Sequence, residues 1–214
     1  MVKLDILSDP ICPWCYIGKT HLDRALEQHP DHPFSIEWHP FQLNPDMPPE
    51  GMDRRAYLEA KFGGPDGAKQ VYGRIEDTAK AAGLSVDFSK IERTPNTLDA
   101  HRLIHWSGLE GRQTATVTGL FKAYFENGQD IGDPGVLLDI AEGVGMDRAM
   151  TERLLAGDGD CDDIRARDAH ARKRGVTGVP TFVIANTHVV AGAQPPELWA
   201  NVLHELTQDA SDTA

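Results

Sequence analysis

The chain has 214 residues and carries 33 acidic side chains against 21 lysines and arginines, which gives a formal net charge of −12 at pH 7. An acidic surface disfavours nucleic acid and anionic membrane as partners, so we expect neither. Three cysteines make no disulfide framework, and neither a secretory signal nor a membrane span is visible, so we expect a cytoplasmic protein with a full hydrophobic core.

The chain begins with a strand, a helix and a second strand. The apolar run 2–7 predicts the first strand, Ser8-Asp9-Pro10 signals a turn, and residues 12–29 have helix character. The helix ends before Pro30, and residues 34–41 predict the second strand. Because strands joined by a crossover helix pair in parallel, this unit is the first half of an α/β layer.

Residues 50–157 predict a block of helices that interrupts this α/β frame. A loop rich in proline precedes the block, and glycines and aspartates mark the ends and beginnings of its helices. The clearest helix is 114–126, in which apolar side chains recur at helical spacing: Val117, Leu120, Phe121, Tyr124 and Phe125. We therefore predict an all-helical insertion domain at 50–157 within an α/β domain formed by residues 1–49 and 158–214.

The α/β frame resumes near residue 161. A helix is predicted from 161 to 174, a strand from 181 to 184, and its hairpin partner from 188 to 191. The last helix opens at Pro195-Pro196, and the small polar residues from 208 to 214 predict a frayed end.

The candidate reactive centre is the segment Cys12-Pro13-Trp14-Cys15 at the start of the first helix. Two cysteines with this spacing lie on one helix face, with Cα atoms at roughly the 4.4–6.8 Å that a disulfide requires. The partial positive charge of a helix N-terminus favours a thiolate over a thiol. We expect Cys12, nearer that end, to be the nucleophile and Cys15 to resolve the mixed disulfide.

A zinc site and a purely structural disulfide are weaker interpretations of the cysteine pair. A structural zinc site needs two more ligands, and the chain offers only Cys161 and scattered histidines without ligand spacing, so no metal is predicted. A purely structural disulfide that closes so short a loop removes little entropy from the unfolded chain. Cys161 itself is interpreted as a partly buried structural thiol.

Several motifs resemble a known group of proteins. The Cys-Pro-Trp-Cys segment at 12–15, the helical insertion and the Gly-Val-Pro-Thr-Phe segment at 178–182 resemble the thioredoxin superfamily. The segments 9–15, 38–41 and 93–97 resemble the DsbA-like, FrnE-type oxidoreductases within it. The resemblance implies a thioredoxin-like α/β fold with a helical insertion, and dithiol–disulfide oxidoreductase activity.

The resemblance also implies the shape of the substrate site. Pro180 is expected to be cis and to face the reactive cysteine, so that the backbone of Val179 can pair with an extended substrate. Pro13 and Trp14 complete the expected binding surface. The expected substrates are proteins or small molecules that carry thiols or disulfides, with glutathione as a co-substrate, no resident cofactor, and a homodimer as the assembly.

One departure from the superfamily concerns a buried acid. Many thioredoxins place an acid six residues before the first cysteine, where it assists proton transfer, but this chain has Ile6 there and Asp5 on the opposite strand face. Glu37 or His39 on the second strand could serve instead, or the two could simply be a solvated or hydrogen-bonded pair.

Two alternative functions stay open. Glutathione-dependent isomerases and kappa-class transferases share the fold and resemble this chain at Asn96-Thr97, but they carry serine where this chain has Cys12. A binding module that captures unfolded clients is the second alternative, because the insertion and Trp14 offer surface for it.

Overall fold

The computed structural model describes residues 1–212, with side chains described as far as residue 208. The strands are β1 Val2–Ser8, β2 Phe34–Pro40, β3 Met52–Asp53, β4 Arg93–Thr94, β5 Thr181–Ile184 and β6 His188–Ala191. The helices are α1 Pro13–Gln28, α2 Arg54–Phe62, α3 Pro65–Ala81, α4 Leu98–Leu109, α5 Gln113–Phe121, α6 Pro134–Gly143, α7 Arg148–Leu155, α8 Cys161–Lys173 and α9 Pro196–Asp212. A 3₁₀ turn covers Phe88–Lys90, and a π-helical turn covers Lys122–Glu126.

The central sheet has the strand order β2-β1-β5-β6. β1 and β2 are parallel, as the strand–helix–strand pattern predicts, and β5 and β6 are each antiparallel to the preceding strand of the sheet. Side chains alternate between the faces of β1, so Leu4 and Ile6 are fully buried, whereas Asp5 lies on the other face. The face of Leu4 and Ile6 shares one hydrophobic cluster with α1 and α9, in which Phe182 packs edge-on against Trp199.

The insertion is helical from α2 to α7, but the prediction that it is all-helical is wrong. β3 and β4 form an antiparallel pair through Met52 with Thr94 and Asp53 with Arg93. Two-residue strands are too short to show a periodicity, and their pairing joins parts of the chain that are far apart in sequence. The helix predicted at 114–126 also changes at Lys122 from α-helical to π-helical geometry.

The insertion and the sheet share their packing. The predicted boundaries fall in the loops before β3 and between α7 and α8. However, buried side chains from both parts, among them Leu4, Phe121, Phe125 and Phe182, belong to one hydrophobic cluster. The division into two domains therefore stays a prediction.

One contact closes an edge of the sheet. The backbone N–H of Trp38 donates to Gln113 Oε1 at 2.8 Å, and Gln113 Nε2 donates back to the Trp38 carbonyl at 3.0 Å. The Trp38 indole N–H donates to Thr114 Oγ1 at 3.0 Å. The first residues of α5 thus occupy backbone groups of β2 that an edge strand would otherwise leave open.

The C-terminal helix is longer than predicted. α9 continues to Asp212, past residue 208 where a frayed end was predicted, and residues 213–214 lie outside the described part. Within residues 1–212, no helix is long and apolar enough to cross a membrane.

Candidate active site

The Cys-Pro-Trp-Cys segment forms the first turn of α1. Cys12 is the N-cap residue and Pro13 occupies the first helical position, where its missing N–H costs nothing. The Cys12 N–H donates to the Asp9 carbonyl at 2.9 Å, and the Cys12 carbonyl accepts from Cys15 N–H at 3.1 Å. Both cysteines are free thiols, one helical turn apart.

The loop before β5 faces the first of these thiols. The Cys12 Sγ donates to the Val179 carbonyl at 3.5 Å, and the peptide bond between Val179 and Pro180 is cis, as the family resemblance implied. Gly18 on α1 lets the two elements meet, because a Cβ there would lie 3.1 Å from Pro180 Cγ and 3.3 Å from Ala193 Cα. The structure thus brings the predicted nucleophile and the predicted substrate loop together.

Both cysteines of the pair are almost completely buried. Cys12 exposes 3% of its surface and Cys15 exposes 1%. Pro13 is half-buried, and Trp14 exposes 38% of its surface beside them. Trp14 therefore presents an apolar surface to solvent next to the cysteine pair.

Burial strongly affects the second cysteine. It raises the pKa of the Cys15 thiol well above its usual value, and the neighbouring Cys12 raises it further. The Ser8 hydroxyl and the backbone of Asp9 act in the opposite direction and lower that pKa. Since the thiolate is the attacking species, the deprotonation of Cys15 is a demanding step at this site.

Asp9 is the residue that sequence reasoning missed. It was interpreted only as part of a turn, but its side chain is completely buried and accepts from the backbone N–H groups of Leu43 at 2.6 Å and Ile11 at 3.4 Å. Burial nevertheless raises the pKa of this carboxyl to about 7. A signal was available, because an acid stands between a buried strand and the Cys-Pro-Trp-Cys segment.

His101 on α4 lies against Asp9. Its Nε2 is 3.7 Å from Asp9 Oδ1, and burial lowers the pKa of its imidazole to about 3, so the ring is neutral at physiological pH. A second buried acid nearby, Asp168, accepts from Arg172 Nε at 2.7 Å and from the Gln42 N–H at 2.8 Å. Asp168 is therefore held by a cation, whereas Asp9 has no such partner among the described residues.

Glu37 and His39 lie on the sheet face away from α1. His39 Nε2 is 2.8 Å from Asp5 Oδ1, and Lys3 Nζ is 3.0 Å from both Asp5 and Glu37. Arg167 donates to His39 Nδ1 at 3.2 Å and lies 3.7 Å from Glu37 Oε1, so Lys3 and Arg167 both offset the charge of these carboxylates. The structure agrees with a hydrogen-bonded role for Glu37 and His39 and does not bring these side chains to the cysteines.

The insertion holds the residue after Cys15. The Tyr16 ring stacks on Phe121 with centroids 5.0 Å apart, and its hydroxyl donates to Glu126 Oε1 at 2.6 Å. Both partners belong to α5 and to the π-helical turn that follows it. The start of α1 is therefore fixed from the sheet on one side and from the insertion on the other.

Cys161 plays no part in this arrangement. It is a buried free thiol at the first residue of α8, and burial raises its pKa. These properties agree with its interpretation as a structural thiol.

Together, the parallel β1-α1-β2 unit, the antiparallel β5-β6 pair and the dithiol at the start of α1 define a thioredoxin-like α/β protein. The chain belongs to the family described as DSBA-like thioredoxin domain, whose model matches residues 3–204. The narrower FrnE-type assignment stays a prediction.

Known proteins resemble the chain over nearly its whole length. The probable DsbA oxidoreductase SCO1869 from Streptomyces coelicolor is 30% identical and superposes with a TM-score of 0.85, over 96% of this chain and 89% of that chain. The uncharacterized protein YwbO from Bacillus subtilis (strain 168) is 28% identical over 207 residues, which cover 95% of this chain and 96% of YwbO. A 2-hydroxychromene-2-carboxylate isomerase is 17% identical with a TM-score of 0.75 over 99% of each chain, which shows a shared fold alone.

Proposed function

We propose that the protein is a thiol–disulfide oxidoreductase that works through Cys12 and Cys15. The observation that carries this proposal is a pair of free thiols one turn apart at the start of α1, the first of which contacts the Val179 carbonyl. The membership of the DSBA-like family supports it.

The chemistry proceeds in two exchanges. The Cys12 thiolate attacks a substrate disulfide, forms a mixed disulfide and releases one substrate thiolate. Cys15 then loses its proton and attacks the Cys12 sulfur, which closes the Cys12–Cys15 disulfide and releases the second substrate thiolate. Two electrons pass from the protein to the substrate, and the same steps in reverse oxidise a dithiol.

The substrate surface in this proposal consists of Pro13, Trp14, Val179 and Pro180. In this proposal Trp14 provides apolar contact and the backbone of Val179 pairs with an extended peptide whose sulfur reaches Cys12; the exposed Trp14 ring and the contact between Cys12 and the Val179 carbonyl support it. Glutathione is proposed as a small co-substrate, because the cytosolic disulfide reductase DsbM from Pseudomonas aeruginosa, a protein of the same fold, has been solved with GSH. A cytoplasmic location and a homodimeric assembly stay predictions.

Single-cysteine variants test the proposal. We expect Cys12→Ser to reduce insulin no faster than the uncatalysed background, and Cys15→Ser to accumulate a mixed disulfide that mass spectrometry detects. Cys161→Ser removes the third thiol and serves as the control with unchanged activity. Insulin reduction that survives Cys12→Ser would contradict the mechanism.

The isomerase or transferase alternative makes a different prediction. Those enzymes activate glutathione with a serine at the position of Cys12, so they need no protein disulfide. Glutathione-dependent isomerisation or conjugation that is retained by Cys12→Ser, without disulfide reduction by the native protein, would favour that alternative.

A further inference from the structure

The sheet face away from α1 is only partly covered. α8 packs over the β1 and β2 side of this face, where Leu7, Phe41 and Ala171 share a small hydrophobic cluster. On the β5 and β6 side the face is open to solvent, and Val189 exposes 66% of its surface there.

The open half of this face is the floor of a groove. Strand pairing sets its side chains in two rows across β1, β5 and β6: Asp5, Val183 and Val189, then Leu7, Thr181 and Ala191. Together with α8 as one wall and the loop 175–180 at one end, these rows enclose about 940 Å³. This space, the sheet groove, is as large as the largest sites for small ligands, so it can hold a short extended stretch of chain.

The sheet groove is continuous with the proposed substrate loop. Residues 176–180 line the end of the groove next to Leu7. Val179 is also the residue whose carbonyl accepts from Cys12 Sγ. The backbone N–H groups of residues 177–179 have no hydrogen-bond partner among the described residues, so an extended chain can pair with this loop and continue into the groove.

The charges in the groove differ from those of the whole protein. The chain has a net charge of −12, yet three lysine and arginine side chains and one carboxylate line the groove: Lys3, Arg167, Arg174 and Asp5. Lys3 Nζ lies 3.0 Å from both Asp5 and Glu37. Arg167 Nη2 lies 3.7 Å from Glu37, so these two cations and two carboxylates balance one another.

Arg174 is the unbalanced charge of the groove. It follows the last residue of α8, it is exposed, and it forms no ion pair among the described residues. The exposed basic side chains of His170 and Lys173 belong to the same helix end, whereas the Arg172 guanidinium is paired with Asp168. Because this helix end leads directly into the substrate loop, a client with an acidic side chain near its cysteine has a complementary charge beside it.

We propose that the sheet groove binds the extended segment next to the reactive cysteine of a protein client, and that it selects segments with an acidic side chain beside apolar ones. This inference rests on the proposed oxidoreductase function. The acidic side chain meets Arg174, the client backbone pairs with residues 177–179, and the apolar side chains cover Val183 and Val189. The whole protein would select the opposite charge, since a net charge of −12 attracts cationic peptides.

Two peptides of opposite charge test this selection. Each contains one cysteine between two valines, joined in a disulfide to a neutral thiopyridyl group, and the two differ only in carrying glutamates or lysines outside the valines. The Cys12 thiolate attacks the peptide sulfur, the mixed disulfide forms, and the thiopyridyl thiolate leaves and takes a proton from solvent, which its absorbance records. At low ionic strength we expect the native protein to react with the glutamate peptide at least about fivefold faster than with the lysine peptide, and added salt should reduce that ratio.

Charge variants locate the selection within the groove. Arg174→Glu should reverse the order of the two rates, and Val189→Lys, which adds a cation to the floor of the groove, should increase the preference for glutamate. Arg153→Glu is the matched control, because it makes the same charge change at an exposed position on α7 outside the groove and should leave the ratio unchanged. A variant that does not fold loses both rates and cannot reverse their order.

Three outcomes would overturn the proposal: a native protein that reacts with the lysine peptide at least as fast, an Arg174→Glu ratio equal to that of Arg153→Glu, or an unchanged ratio in Val189→Lys. Glutathione disulfide distinguishes a client segment from a small anion. If Arg174→Glu slowed its reduction as much as the reaction of the glutamate peptide, the groove would be a subsite for small acidic thiols and the proposal would fail. Failure of the proposed function looks different: the native protein would react with neither peptide, or Cys12→Ser would still release the thiopyridyl group.

Discussion

Asp9 and His101 make opposing contributions to the pH dependence of stability. Burial raises the pKa of Asp9 from 3.8 to about 7, so between those values the folded state holds a proton at this site that the unfolded chain has lost. Stability therefore falls as pH rises through this window. Burial lowers the pKa of His101 from 6.5 to about 3, so the unfolded chain holds the extra proton there, and stability rises with pH.

The two slopes nearly cancel in the native protein between about pH 4 and pH 6.5. Each site alone contributes about 1.4 kcal/mol per pH unit, and both groups are fully buried, so solvent screening is small. As the pH rises from 4.5 to 6.5, we expect the free energy of unfolding of Asp9→Asn to increase by up to about 3 kcal/mol relative to that of the native protein. Over the same range, that of His101→Gln should decrease by about as much.

Urea unfolding at pH 4.5, 5.5 and 6.5 measures these free energies of unfolding. Thr116→Val is the control, because it removes a buried hydroxyl that donates to the Arg112 carbonyl without removing a titratable group. Thr116→Val should change the free energy of unfolding by the same amount at each pH, so its slope against pH should equal that of the native protein. Profiles of Asp9→Asn and His101→Gln that run parallel to the native one would refute the assignment of these pKa values to burial.

Two further predictions concern packing around the site. Gly73 on α3 has open space around it, so Gly73→Ala should raise the free energy of unfolding by up to about 1 kcal/mol. Gly18→Ala places a methyl group against Pro180 and Ala193, so its free energy of unfolding should be at least about 1 kcal/mol lower than that of Gly73→Ala. Equal effects in thermal unfolding would contradict this packing. Gln113→Ala removes two hydrogen bonds to β2 and should lower the free energy of unfolding by about 1–3 kcal/mol. The control Gln70→Ala, at an exposed position, should lower it by less than about 0.5 kcal/mol. A loss for Gln113→Ala no larger than that for Gln70→Ala would contradict the edge contact.

Local signals were enough to predict most of the elements. Pro13 at the first position of α1 and the alternation in β1 are properties of a few neighbouring residues, and the parallel pairing of β1 with β2 follows from the helix between them. The predicted positions of β5 and β6 agree with the structure for the same reason.

The remaining features depend on partners that are distant in the chain. Asp9 does stand in a turn, but its burial requires Leu43 and His101, which no local pattern around residue 9 reveals. Gln113 gave no signal at all, because its role is to pair with the backbone of Trp38. The superfamily position six residues before Cys12 is Ile6 in this chain, and Glu37 and His39, which were considered in its place, lie on the sheet face away from α1.

The burial of both thiols bears on the order of events in the proposed mechanism. In the proposed mechanism a client sulfur approaches Cys12 beside the loop that contains Val179 and Pro180, because Cys12 exposes little surface and contacts the Val179 carbonyl. Cys15 lies one helical turn further along α1 and is also buried, so in this mechanism it attacks only after a client sulfur is attached to Cys12. The same burial would protect the mixed disulfide from competing thiols in solution.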